Sequence, residues 1–277
     1  MRGLKNGNGR TTIFTNEKGK IIDAVDVYFL GRGFYIIHSQ GTRESLLDLF
    51  KRYVIMEDIS IHETKIFSTV LKMQGASNKK DIFTGDNGTI VMYSPRIYPD
   101  GQLYVSEDNL HKVFSLDGNN DLIDIKEYNV LRLEQSIPLF KYDFDENINP
   151  LETHLREFIS LTKGCYIGQE VIARLDSYNK IKRFLKGVIV NPSSSESIDF
   201  KNLEQTGIKS GQIYNNGTLA GTITSIGYSM NFGSLLLMVR FERANERTGT
   251  DVELDFDGIR LTGKIVDLPF VRGKHHE

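Results

Sequence analysis

Two runs decide the fold: Leu219-Ala220-Gly221-Thr222-Ile223-Thr224-Ser225-Ile226 and Ser234-Leu235-Leu236-Leu237-Met238-Val239-Arg240-Phe241. Each is a short, β-rich run bounded by turn residues, and each has neighbours of the same kind. Arg183 to Val190, Gln212 to Tyr214, Asp251 to Asp255 and Ile259 to Val266 continue the pattern at regular spacing, the last two joined through Asp257-Gly258. Short strands in that rhythm predict a small closed or nearly closed β-barrel, which removes exposed strand edges. The barrel carries no nucleophile–base pair of its own, so its expected role is scaffold and wall. Asn191-Pro192-Ser193-Ser194-Ser195 is a loop signal within it.

Upstream the pattern changes. Thr11 to Phe14, Ile21 to Phe29 and Phe34 to Ile37 are β-rich runs separated by Asn16-Glu17-Lys18-Gly19 and Gly31-Arg32-Gly33, which predicts an antiparallel meander. Leu46, Leu47, Leu49, Phe50 and Tyr53 stand at helical spacing, so a helix is expected to pack on it. Ile59 to Ile61 and Lys65 to Met73 read as strands, 75–88 as a polar loop, and Thr89 to Tyr93 with Gln102 to Val105 as a strand pair. Leu110, Val113, Phe114 and Leu116 form a further helical pattern behind Ser106, Asp108 or Asn109 as its cap. Strands and helices mix without a regular βαβ beat, so the class is α+β. The Gly-x-Gly runs at 7–9 and 31–33 lack the remaining spacing and context of a nucleotide site.

Length and composition narrow the function. The 277 residues are enough for two or three domains. With 34 basic and 36 acidic residues and no long block of one sign, there is no electrostatic footprint for nucleic acid. The single cysteine excludes an intramolecular disulfide and a self-held four-thiolate iron–sulfur cluster, and no Cys/His zinc pattern occurs. No apolar run reaches the ~20 residues that span a bilayer and the N-terminus lacks a signal-peptide core, so no membrane partner and a cytoplasmic location are expected.

That cysteine sits in Lys163-Gly164-Cys165-Tyr166-Ile167-Gly168-Gln169-Glu170. Gly168 reads as the joint between a turn and a helix, which puts Cys165 just outside a helix N-terminus beside Lys163. Both features favour a thiolate; the competing reading is a small buried residue in a tight turn. In Leu131-Arg132-Leu133-Glu134-Gln135-Ser136-Ile137-Pro138, one acid follows an apolar stretch and precedes a proline-marked turn. Facing an interior, Glu134 would need donors, and a ligand with adjacent N–H groups would supply two; facing outward, it is a salt bridge or a helix end. Asn149-Pro150-Leu151-Glu152 announces a helix with Leu151, Leu155, Phe158 and Ile159 as its apolar stripe. His154 on that segment, like His38, His62 and His111, has no partner at metal spacing and reads as structural or solvated.

Together these residues resemble the glycine-cleavage T-protein superfamily, and within it the YgfZ-type folate-binding branch linked to iron–sulfur cluster assembly and repair. The specific match is Lys163 to Glu170; Asn16 to Asp23, Leu131 to Glu134 with Pro138, and Gly221 to Ser225 with Pro269-Phe270 match in the same order. The resemblance implies a folate-binding α+β portion of antiparallel sheets with helices at 1–181 and a C-terminal β-barrel at 182–277. Its cofactor would be tetrahydrofolate and its partners iron–sulfur client or assembly proteins. Glu134 would accept from the pterin's N–H groups, Cys165 would be the reactive thiol with Lys163 supporting it, and Arg174 would pair with the glutamyl tail. Asp23, Tyr166 and Gln169 are further cofactor-binding candidates.

Two departures from the family pattern shape the expectation. The aminomethyltransferases carry two consecutive aspartates after the first-domain turn, the second catalytic; here Asp23 matches the first and Ala24 stands at the second. A methyl group cannot stabilise positive charge developing on a folate nitrogen. An accessory role in iron–sulfur cluster assembly or repair is therefore expected before the alternatives, a one-carbon transferase of the aminomethyltransferase or demethylase kind and a folate-binding module without chemistry. Family members also have a strand–helix segment before the region matching Leu4 to Asn16, so either a trimmed first domain or a misassigned start codon is expected.

Overall fold

A computed structural model describes residues 4–31, 33–63, 66–71, 82–84, 90–93, 101–106, 124–191, 211–256 and 259–270. The chain divides into two compact units, Met1–Phe14 with Ile22–Asp124 and Thr15–Ile21 with Ile125–Glu277.

In the first unit, β1 (Asn8–Thr15), β2 (Ile21–Leu30) and β3 (Gly33–Ile37) form the expected meander, with β2 in the centre. β2 is buried along most of its length because both of its faces are covered. On one of them Val25 and Val27 meet Leu46 of α1 (Arg43–Tyr53), with Phe14, Ile22, Ile36 and Phe50 packed around them. A second sheet has the order β4 (Ile66–Leu71), β7 (Gly101–Ser106), β6 (Ile90–Tyr93), β5 (Ile82–Thr84), antiparallel throughout. β5 falls inside the segment expected to be loop, whereas Ile59 to Ile61 forms no strand: both isoleucines are exposed, and no described strand shields them. The helix expected around Leu110 to Leu116 lies outside the described residues.

The second unit holds α2 (Ile125–Glu134), α3 (Gln169–Ser177) and the barrel. β8 (Arg183–Val190), β9 (Gln212–Asn215), β10 (Thr218–Ser229), β11 (Ser234–Glu242), β12 (Asp251–Phe256) and β13 (Ile259–Val266) close in the order β10-β11-β8-β13-β12-β9. Val188, Ile213, Ile223, Leu237, Val239, Phe241, Leu254 and Ile265 fill the barrel at 0–1% exposure, which removes them from water and leaves no free edge. The expected boundary near residue 181 falls at the start of the first barrel strand, while the compact unit around the barrel reaches back to Ile125 and takes in Thr15–Ile21.

The helix announced by Asn149-Pro150 is instead two 3₁₀ turns, Pro150–Glu152 and Arg156–Phe158. Asn149 does cap, accepting from Leu151 N at 2.9 Å, but Thr153 turns extended and its hydroxyl donates back to Pro150 O at 2.8 Å. A hydroxyl bonding its own backbone competes with helix propagation, and here it wins. Leu151 and Leu155 are nonetheless buried, as the apolar stripe requires.

Candidate functional site

The second unit brings together Glu134 and a polar network that fixes the helix carrying it. α2 ends in a Schellman turn: Ser136 is left-handed at φ 58°, Ser136 N donates to Leu133 O and Ile137 N to Arg132 O, each at 2.8 Å. Glu134 is thus the last residue of a helix, where the dipole is negative and a carboxylate is disfavoured. It is also 5% exposed. A charge so placed needs donors, and the hairpin between β10 and β11 provides two. The Ser229 hydroxyl donates to Oε1, and Asn231 Nδ2 donates to Oε2 at 2.8 Å. Ser229 is itself held by Phe232 N at 3.1 Å. An ionised carboxylate offers about four acceptor positions. Among the described residues, two at Glu134 are used.

α2 is also locked to the barrel within its last turn. Arg132, 1% exposed, donates from Nε to Asn129 Oδ1 at 3.0 Å, from Nη1 to Asp143 Oδ2 at 2.9 Å and from Nη2 to the Ser225 hydroxyl at 2.8 Å. Asp143 also accepts from Leu139 N at 2.8 Å, Thr224 Oγ1 at 2.6 Å and Ser225 Oγ at 2.7 Å, so all four of its positions are filled. Gly227 of β10 lets the helix lie close, because a Cβ there would stand 2.8 Å from Leu133 Cδ1.

The cysteine stretch lies before α3 in the same unit. Gly168 is the joint expected from the sequence: it is left-handed at φ 81°, and a Cβ would meet Asn16 O at 2.4 Å. The Thr15 hydroxyl donates to Ile167 O at 2.5 Å, and the Gly19 Cα leaves room for Val171 and Ile172. Cys165 is exposed, which removes the buried-packing reading and leaves its thiol accessible. Lys163 places Nζ 4.7 Å over the Tyr166 ring, so part of its charge is engaged by the aromatic face. Gln169 Oε1 accepts from Tyr166 N at 3.3 Å while Gln169 N donates to Tyr166 O at 3.2 Å; the side chain closes its own turn. Tyr166 sits against Leu151, Ile172 and Ile181, and its hydroxyl is buried with no partner among the described residues. Burial also pushes the Tyr166 phenol up from its ordinary value. Arg174 is exposed on α3. His154 is pushed down, first by burial and then by Lys186, which suits a neutral structural ring.

Asp23 belongs to the first unit. It is fully buried and accepts from Ala24 N and Ser39 Oγ at 2.8 Å on Oδ1, and from Ser39 N at 2.7 Å and Thr42 Oγ1 at 2.6 Å on Oδ2. Four donors staple β2 to the start of α1 and leave no acceptor position for a ligand. Ala24 is 1% exposed. Ser229, Asn231, Arg132 and Asp143 did not stand out in the sequence; the serine and asparagine lie 95 and 97 positions beyond the acid they hold.

Residues 204–272 match the family model of the glycine cleavage T-protein C-terminal barrel domain. The fold is T-protein-like. The crystal structure of the glycine cleavage system aminomethyltransferase T from Bartonella henselae aligns with a TM-score of 0.78 at 17% identity, over 97% of this chain and 77% of that one. An aminomethyltransferase of Aquifex aeolicus is 26% identical over 287 residues, covering 97% of this chain and 75% of its own. A tRNA-modifying protein YgfZ of Yersinia pestis is 24% identical over 228 residues, covering 74% of this chain and 69% of its own. The T-protein-like chain has no group of three or more His, Cys, Asp or Glu side chains able to hold a metal among its described residues. None of its described helices is long and apolar enough to cross a membrane.

Proposed function

We propose that this chain binds tetrahydrofolate through Glu134 and acts as an accessory protein for iron–sulfur enzymes, not as an aminomethyltransferase. The observation that carries this is the carboxylate of Glu134, buried at a helix end where charge is costly and with two of its four acceptor positions filled among the described residues. The pterin of tetrahydrofolate carries an amino group next to a ring N–H, a donor pair spaced for the two oxygens of one carboxylate. Such a ligand completes the four acceptor positions and offsets the cost of burying the charge. Arg174, exposed on α3, is the cation assigned to the anionic glutamyl tail. Tetrahydrofolate supplies one-carbon carrying nitrogens; the chain's own residues bind and orient it.

Ala24 and Asp23 support the choice against transfer. The position that the family resemblance gives to a catalytic aspartate is a buried methyl, and the neighbouring carboxylate is committed to four local donors. The exposed Cys165 supports a thiol function, with iron–sulfur client or assembly proteins as the class of partner. The transferase reading has in its favour the 26% identity to an aminomethyltransferase over nearly the whole chain.

One experiment separates them. Iodoacetamide labels Cys165 at neutral pH faster than a model thiol, and tetrahydrofolate slows the labelling, while a panel of methylated amines with tetrahydrofolate yields no formaldehyde or methylene-tetrahydrofolate. Turnover of any amine overturns the accessory role. Labelling at the model rate and indifferent to folate overturns the thiol assignment.

A further inference from the structure

We infer that Asn231, with Ser229 behind it, is a positioning residue that sets the specificity of Glu134 for a ligand bearing two adjacent N–H donors; this rests on Glu134 being the pterin acceptor. The two hairpin residues hold one carboxylate oxygen each, so together they fix its rotation about the last side-chain bond. A carboxylate held at both oxygens presents its remaining two acceptor positions in a fixed plane, one per oxygen. Two parallel N–H groups meet that arrangement at once, whereas a ligand with a single N–H needs only one oxygen and tolerates rotation. Chemistry sets the orientation of the Asn231 amide: its nitrogen must face the carboxylate, since its oxygen would repel it.

The two holders differ in environment. Ser229 is fully buried, its hydroxyl accepting from Phe232 N while donating to Glu134, so the serine is part of the hairpin's own closure. Asn231 is exposed and its side chain reaches inward from the hairpin tip. An exposed side chain spent on a buried acid contributes little to core packing. Its contribution is the angle of the carboxylate, and it is the residue whose change leaves the fold intact.

The test uses the full chain, titrated by calorimetry with tetrahydrofolate and with its 2-desamino analogue, which lacks one of the two N–H donors. The wild type favours tetrahydrofolate. Asn231→Ala still melts cooperatively, at a slightly lower temperature because Glu134 loses one donor, binds tetrahydrofolate about tenfold more weakly and binds the analogue unchanged, so the discrimination collapses; Asn231→Gln, which keeps the amide donor, restores part of it. If Asn231→Ala weakens both ligands equally, or neither, the positioning role is overturned while the folate reading stands. If the wild type binds no tetrahydrofolate, the folate reading itself is overturned and this assignment falls with it.

Discussion

Asp23 in the meander and Glu134 at the end of α2 are both carboxylates removed from water, and the chain surrounds them differently. Asp23 receives two backbone N–H groups and two hydroxyls, all from residues within 19 positions of it. Glu134 receives two side-chain donors from a hairpin 95 and 97 positions away and stands at the negative end of a helix. A filled carboxylate is a staple: it stabilises local structure and has nothing left to offer. A half-filled one in an unfavourable position costs stability that a ligand can restore, which is the mark of a binding group. Asp143 belongs with Asp23, since its four donors hold α2 and β10 around Arg132.

The contrast can be broken by removing each acid in turn. Asp143→Ala leaves the Arg132 guanidinium buried and uncompensated, which costs about 3–5 kcal/mol in chemical denaturation. Asp23→Ala removes the acceptor shared by four donors and costs about 3 kcal/mol, with faster amide exchange at Ser39. A loss below ~1 kcal/mol at either site would mean that it is not a staple. Gly227→Ala sharpens the comparison from the other side. Its Cβ would crowd Leu133 at 2.8 Å, so α2 must shift, costing about 1–3 kcal/mol and weakening tetrahydrofolate binding through the displaced Glu134. Unchanged folate affinity in that variant would separate the helix position from the site.

Much of the architecture is legible in the sequence because it is written locally. The barrel strands are short β-rich runs between turns, and all six form where the pattern places them. Gly168 reads as a turn-to-helix joint, although the reason no side chain fits, the approach of Asn16 O, depends on a distant part of the chain. The Asn149-Pro150 signal misled because a correct cap starts a helical turn without deciding whether the next turn stays helical, and Thr153 diverts the chain. Ile59 to Ile61 has β-branched residues but no partner strand among the described residues. At the candidate site, Glu134 stood out by its neighbours in sequence, but Ser229 and Asn231 could not, because an ordinary hairpin serine and asparagine acquire their meaning only when the barrel closes beside α2.

The most direct test of the account is a calorimetric titration of the wild type and Glu134→Gln with tetrahydrofolate. The substituted amide keeps an oxygen for Ser229, and the exposed Asn231 can turn its own oxygen inward, so the fold survives while the negative charge is lost. The account predicts tight binding by the wild type and a loss of about 2 kcal/mol, roughly thirtyfold, in the variant. Equal affinities would contradict it and remove Glu134 from the site.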